Sequence, residues 1–215
     1  EAFEISTTTS NFNQSPSIDV LGGGNIVVTW HKRKSDFDPT SQVYGQIIDN
    51  TGGKVGSEFQ IGYADQSVNK LYPKVEATSD GGFIIVHQEY TGYFDVRAQK
   101  FDANGNKVGQ SIALAETNAR ELYPDIVELS NGDFLADWHS SNGFNILAQR
   151  FDASLNKIGS QIEINPTSHR ADETFIVEDE NGNVSVVWDS NSSVSSHDGI
   201  FAQKLDFTPS STTNT

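Results

Sequence analysis

The residues in this chain with the chemistry to bind a metal or move a proton are five histidines and a scatter of carboxylates. His31, His87 and His139 stand at or just beyond the ends of apolar runs, and His169 and His197 stand in longer polar stretches. Asp36, Asp38, Glu89, Asp137, Glu173, Asp189 and Asp198 accompany them. Imidazole with carboxylate can ligate a transition metal or act as an acid–base couple. No HExxH or other fixed ligand spacing occurs, so the same histidines also fit a packed or solvated role, and His87 takes a place held elsewhere by tryptophan. Glycoside hydrolysis needs only two carboxyls at a suitable separation, and Asp137 with Glu89 is the first pair to consider. For nucleophilic catalysis the chain offers no G-x-S-x-G elbow, no Cys and no phosphate-binding glycine loop.

A second set of candidates is aromatic. Phe12, Phe37, Tyr63, Tyr90, Tyr93, Phe94 and Phe144 do not repeat between copies and stand in variable stretches among Asn, Asp, Gln and Ser. Aromatic faces stack on the apolar side of sugar rings while amides and carboxylates take the hydroxyls, so these residues, with His139, are the candidate ligand-binding set. Folding inward to anchor loops is the competing role. The turns Asp49-Asn50-Thr51-Gly52-Gly53 and Asp102-Ala103-Asn104-Gly105-Asn106 superficially resemble calcium loops. They lack the further carboxylates and the closing Glu of a helical-hand site, so each Asp is expected to cap its own turn, with glycine supplying positive φ. Calcium remains a possible cofactor elsewhere, favoured by the acidic excess.

The elements that must position these residues come in four copies. Turns rich in Gly and Asx lead into Ile26–Trp30, Phe83–His87, Phe134–Trp138 and Val184–Trp188, and closing strands centre on Gln46, Gln99, Gln149 and Gln203. These glutamines lie 53, 50 and 54 residues apart, a period of repeat architectures built from small sheets. Each copy holds four strand-like runs, in the second copy Glu58–Ile61, Lys74–Ala77, Phe83–His87 and Val96–Phe101. No segment sustains a helical apolar period. The fold class expected is all-β, a four-bladed β-propeller of four-stranded antiparallel blades, over residues 1–207 in repeats of about 1–56, 57–109, 110–159 and 160–207. The chain opens on Phe3-Glu4-Ile5, which matches the outer run, and its last copy lacks one, so the N-terminal strand is expected to close the ring. A half ring dimerising to eight blades is the alternative. Trp30, Trp138, Trp188, the four glutamines, Tyr72-Pro73 and Tyr123-Pro124 repeat and are assigned to the scaffold. One face receives uniform hairpins; the other receives loops that differ in every copy and is expected to carry binding.

Composition excludes several partners. A net charge of -15 over 215 residues repels nucleic acid and anionic membrane, and the densest basic run is only His31-Lys32-Arg33-Lys34. There is no long apolar run for a membrane span. The chain has neither Cys nor Met, which disfavours a disulfide scaffold and suggests a processed product or a domain of something longer. Residues 208–215 are rich in Ser and Thr and read as a tail or linker.

At Pro73–Phe101 and Pro124–Phe151 the pattern P-x-[IV]-x-x-x-x-[DN]-G-x-[FI], then A-Q-[KR]-F-D and K-[VI]-G, resembles repeats of large exported bacterial adhesins and repeats-in-toxin proteins. The resemblance implies a propeller, a secreted or cell-surface bacterial location and a binding role, with no catalytic residues to carry over. The expectation is therefore an extracellular recognition module, lectin-like and carbohydrate-binding through the variable face, with a glycan or cell-surface protein as partner. A protein-binding adhesion module and a propeller glycosidase or lyase are the alternatives.

Overall fold

The computed structural model describes residues 2–7, 12–33, 40–61, 67–141, 145–165, 171–190 and 199–205. They form a four-bladed β-propeller. Blade 1 is β1 (Phe12–Val20), β2 (Ile26–Arg33), β3 (Ser41–Ile48) and β4 (Lys54–Gln60); blade 2 is β5 (Lys70–Ala77), β6 (Phe83–Tyr90), β7 (Phe94–Phe101) and β8 (Lys107–Ala115). Blade 3 is β9 (Glu121–Glu128), β10 (Phe134–Ser140), β11 (Asn145–Phe151) and β12 (Lys157–Glu163). Blade 4 has three strands among the described residues, β13 (Ala171–Glu178), β14 (Val184–Ser190) and β15 (Gly199–Leu205). Every pairing is antiparallel between strands adjacent in sequence. No helix among the described residues is long and apolar enough to cross a membrane.

Second strands are apolar on both faces because each lies between two layers, and β6 and β10 are buried along almost their whole length. Blades 1 and 2 pack through Val27, Val43 and Ile47 against Val75, Phe83 and Ile85. Trp138 fills the seam between blades 2 and 3, and Trp188 the seam between blades 3 and 4. The repeated glutamines hold bulges where third and outer strands shift register. Gln46 Nε2 donates to Ile47 O and Val55 O at 3.0 Å each, and Gln149 Nε2 to Arg150 O at 2.9 Å and Ile158 O at 2.8 Å. The glycine of each K-[VI]-G follows the accepting carbonyl at φ near +68°, as Gly56 (67°) and Gly159 (69°) do. The Asp turns are self-capped as expected: Asp102 Oδ1 accepts from Asn104 N at 2.9 Å and Asn106 N at 2.8 Å.

First strands converge on the axis, β1 on β5, β5 on β9 and β9 on β13. Each lends side chains to the backbone of the next. Asp19 accepts from Ala77 N at 2.6 Å, Glu76 from Glu128 N at 2.9 Å and Asp125 from Ile176 N at 3.2 Å. Second strands do the same further along: His31 Nδ1 accepts from Tyr72 N at 3.4 Å and Gln88 Oε1 from Tyr123 N at 2.8 Å.

Between blade 4 and blade 1 this pattern stops. Val20 N, equivalent to Ala77 N, is held by its own Asp19 at 2.7 Å. Blade 4 carries Val177 where blades 1 and 2 carry Asp19 and Glu76, and Val177 is 58% exposed against 9% for its counterpart Val127. Ile200 is 75% exposed where Ile146 is fully buried. The N-terminal residues, expected as a strand on the last blade, carry no strand in the described stretch 2–7; Ile5 instead packs with Val28, Trp30 and Ile48 on the outward face of blade 1. Trp30, equivalent to the seam tryptophans, is thereby 4% exposed without a preceding blade against it.

Two measurements check this account. Ile5→Ala should lower unfolding free energy by about 1–2 kcal/mol, as partial loss of an apolar contact does, with a red shift in tryptophan emission; unchanged stability would mean that Trp30 is covered by something else. His31, buried and beside Arg33, has its pKa lowered to about 4. The unfolded chain therefore takes up a proton near pH 6.5 that the folded chain refuses until about pH 4, and stability falls as pH is lowered through that window, by up to about 3 kcal/mol. His31→Gln supplies the acceptor blade 2 uses, Gln88, without the titration. Urea melts should show the wild type losing stability relative to the variant between pH 7 and 4, and parallel curves would contradict the clamp's neutral imidazole.

Candidate functional site

Where the first strands meet, a cavity of about 260 Å³ is lined by all four blades: Ser15 and Pro16, Tyr72, Pro73 and Lys74, Tyr123 and Pro124, and Thr174 and Phe175. Its size is just below that of drug-sized pockets, with room for one sugar ring. The lining follows from a bulge repeated in each first strand. Register shifts between Gln14 and Ser17 in β1, between Leu71 and Lys74 in β5 and between Leu122 and Asp125 in β9. At the bulge Ser15 has φ 52° and Tyr72 and Tyr123 each φ 50°, a left-handed conformation that non-glycine residues rarely adopt. Strain of this kind, repeated in three blades, persists only where the surroundings hold it. His31 and Gln88 do so by taking the N–H of Tyr72 and Tyr123. The tyrosine rings meet edge to face at 4.9 Å, and His31 packs on Tyr72 at 5.3 Å.

A carboxyl pair lies behind this wall. Asp125 and Asp137 are directly opposed on β9 and β10, so their side chains share one face of the sheet. Asp137 is fully buried; Thr174, which lines the cavity, donates its hydroxyl to Asp137 Oδ1 at 2.8 Å, and Oδ2 has no hydrogen-bond partner among the described residues. Burial first, and the neighbouring Asp125 charge second, push the Asp137 pKa up to about 8. Burial also raises half-buried Asp125, to about 6, against the opposing pull of Lys74. Glu76, half-buried and clamped to Glu128 N, is raised to about 7, chiefly by its burial.

The predicted residues are placed differently. Tyr90, Tyr93 and Phe94 cluster at the end of blade 2, with Tyr90 and Phe94 in edge contact at 5.2 Å and Arg120 over Phe94 at 5.4 Å. Tyr93 borders an open, polar cavity of about 480 Å³ with Asp95, Glu116 and Thr117. Burial and Glu116 raise Asp95, which accepts from the Thr91 hydroxyl. Phe12 is exposed on blade 1 with Arg33 at 5.9 Å, and His139 is buried in β10 of blade 3. Phe37, Tyr63 and Phe144 lie outside the described residues, as do His169, His197, Asp36, Asp38 and Asp198. The pair Asp137 and Glu89 is not brought together: Glu89 approaches His87 Nε2 at 3.5 Å and Arg97 at 3.7 Å within blade 2, while Asp137 faces Asp125 and Thr174. Among the described residues no group of three or more His, Asp or Glu is arranged to hold a metal ion.

Sequence reasoning therefore missed Tyr72, Lys74, Tyr123, Thr174 and Phe175 as lining, and Asp125 as the partner of Asp137. Tyr72-Pro73 and Tyr123-Pro124 repeat in sequence, and repetition alone points to scaffold.

No protein-family model and no curated protein matches the sequence. Among solved structures, a Dyadobacter fermentans protein of unknown function aligns with a TM-score of 0.69 and 12% identity over 87% of this chain and 51% of its own. A Penicillium chrysogenum α-L-arabinanase complexed with arabinobiose aligns with a TM-score of 0.67 and 13% identity over 90% of this chain and 62% of its own. An endo-arabinase from Bacteroides thetaiotaomicron aligns with a TM-score of 0.63 and 12% identity over 96% of this chain and 80% of its own. The chain thus spans about half to four fifths of these relatives. Identities this low show a shared fold. The expectation of a lectin-like recognition module is corrected by the same comparison: the structures sharing this fold include arabinanases and a GH43 β-1,3-galactosidase, not lectins or adhesins.

Proposed function

We propose that the chain is a glycoside-cleaving propeller with its chemistry at the axial pocket. The observation that carries this reading is the Asp125–Asp137 pair, two carboxyls directly opposed on neighbouring strands behind the pocket wall, both raised by burial and Asp137 further by the Asp125 charge. Two carboxyls this close do not ionise together, so Asp137 keeps its proton while Asp125 is ionised, the division of labour that glycoside hydrolysis requires. In this scheme Asp137, behind the wall, passes its proton to the Thr174 hydroxyl, which gives its own proton to the glycosidic oxygen as the bond to the anomeric carbon breaks. Water adds to that carbon, and the proton it releases returns through Thr174 to the carboxyl pair. Thr174, bonded to Asp137 and lining the cavity, is the polar link through which the pair reaches the sugar. Tyr72, Tyr123 and Phe175 supply apolar faces for the ring. The shared fold with enzymes that cleave arabinan supports the same reading.

The test is release of reducing sugar from arabinan, β-1,3-galactan and pectin, with wild type and Asp137→Asn. Asn keeps the shape and the uncharged state that Asp137 has at pH 7, so melting should shift by only a few degrees, about 1 kcal/mol or less. Activity should fall by roughly 10²-fold or more. In the wild type it should also decline as pH rises past about 8, where the acid loses its proton. Full activity in the variant, or no product from any of the three, overturns the assignment.

A further inference from the structure

Lys74 is the one charged residue among those lining the axial pocket. The equivalent positions in blades 1, 3 and 4 are Ser17, Asp125 and Phe175, so the ammonium is not a feature of the repeat. Its Nζ lies 4.4 Å from the centroid of the Phe175 ring. Among the described residues no carboxylate comes within ion-pair distance of Lys74 and no acceptor takes a hydrogen bond from it. The Lys74 charge is near enough to Asp125 to pull its pKa down, but the Asp125 oxygens accept from Ile126 N at 3.0 Å and Ile176 N at 3.2 Å and Asp137 accepts from Thr174, so neither takes a hydrogen bond from the ammonium. Asp137 is in addition mostly uncharged at neutral pH. A half-buried ammonium with three unused donors, set against aromatic walls, is complementary to an oxyanion carried on a sugar ring.

We propose that the axial pocket selects an acidic sugar, whose carboxylate or sulfate ester pairs with the Lys74 ammonium while its ring packs against Tyr72 and Phe175. The inference rests on the glycosidase reading and names its substrate class. The chain's net charge of -15 opposes an incoming anion at long range, but at physiological ionic strength that field is screened within about 8 Å, whereas a contact pair inside the pocket is screened far less. The preference is accordingly a property of the bound state, and it should persist at 0.15 M salt.

The experiment is titration calorimetry at about 0.15 M salt with methyl galacturonoside, galactose 6-sulfate and neutral methyl galactoside, against wild type, Lys74→Met and Lys74→Arg. At least one acidic sugar should bind the wild type about ten-fold or more tighter than the neutral one. Lys74→Met should erase that difference with little change for the neutral sugar, and Lys74→Arg should keep most of it. Galacturonoside alone showing the preference identifies a carboxylate ligand; the sulfate alone identifies a sulfate ester. Equal affinity for neutral and acidic sugars, or a preference surviving in Lys74→Met, overturns this proposal and leaves the glycosidase reading standing. Absence of binding by all three sugars to the wild type overturns both. Tryptophan emission and melting of each variant establish that it is folded, and Lys74→Gln, which also removes the charge, carries the test if the methionine variant is not.

Discussion

A side chain from one blade holding a backbone N–H of the next is the interaction on which the rest of the molecule depends. Packing of Trp, Ile and Val between blades supplies most of the apolar burial, but it does not by itself set how one sheet is offset from another. The hydrogen bonds from Asp19, Glu76 and Asp125 do, because each engages a single backbone group of the following first strand. His31 and Gln88 extend the same device to the bulge, where the captured N–H belongs to a tyrosine in a left-handed conformation. Buried donors left unpaired are costly, so the clamp and the strained turn stabilise each other. The axial pocket is a consequence. Its walls are the bulges that these acceptors hold in place.

The same clamps explain why an acidic protein keeps so many carboxyls near its axis. Glu76 and Asp125 are drawn inward to meet backbone donors, and the low polarity around them raises their pKa values. Asp137 is more extreme, because it has a hydroxyl from Thr174 and a carboxyl opposite but no cation in contact. A structural motif thus leaves one proton-holding group next to a cavity, and the step from scaffold to chemistry is short. Lys74 adds a charge of the other sign at the only lining position where one occurs among the described residues.

The blades and their register were legible in sequence because they rest on short-range patterns: Gly-Asx turns, two-sided apolar second strands and the spacing of Gln46, Gln99, Gln149 and Gln203. The glutamines proved to bridge backbone carbonyls, as their recurrence suggested. The axial site was not legible, because it is assembled from one or two residues of each blade that lie about fifty positions apart and follow no chemical motif. Tyr72 and Tyr123 carried a signal in their repeated Tyr-Pro, but only the bulge turns that repeat toward the axis. Asp137 could be singled out as a candidate acid; its opposition to Asp125 follows from the hairpin register counted back from Phe134 and Glu128, which the residue types alone do not announce. The seam was misread for a related reason. Phe3 and Ile5 have the pattern of an outer strand, yet the face needing cover was that of Trp30 on blade 1.

The most direct test of the account is a crystal structure of the Asp137→Asn protein soaked with an oligosaccharide that the wild type cleaves. The account predicts sugar density on the axis, with a ring against Tyr72 and Phe175 and the scissile oxygen facing Thr174. Density confined to the loops of blade 2, at Tyr90 and Tyr93, with an empty axis would contradict it.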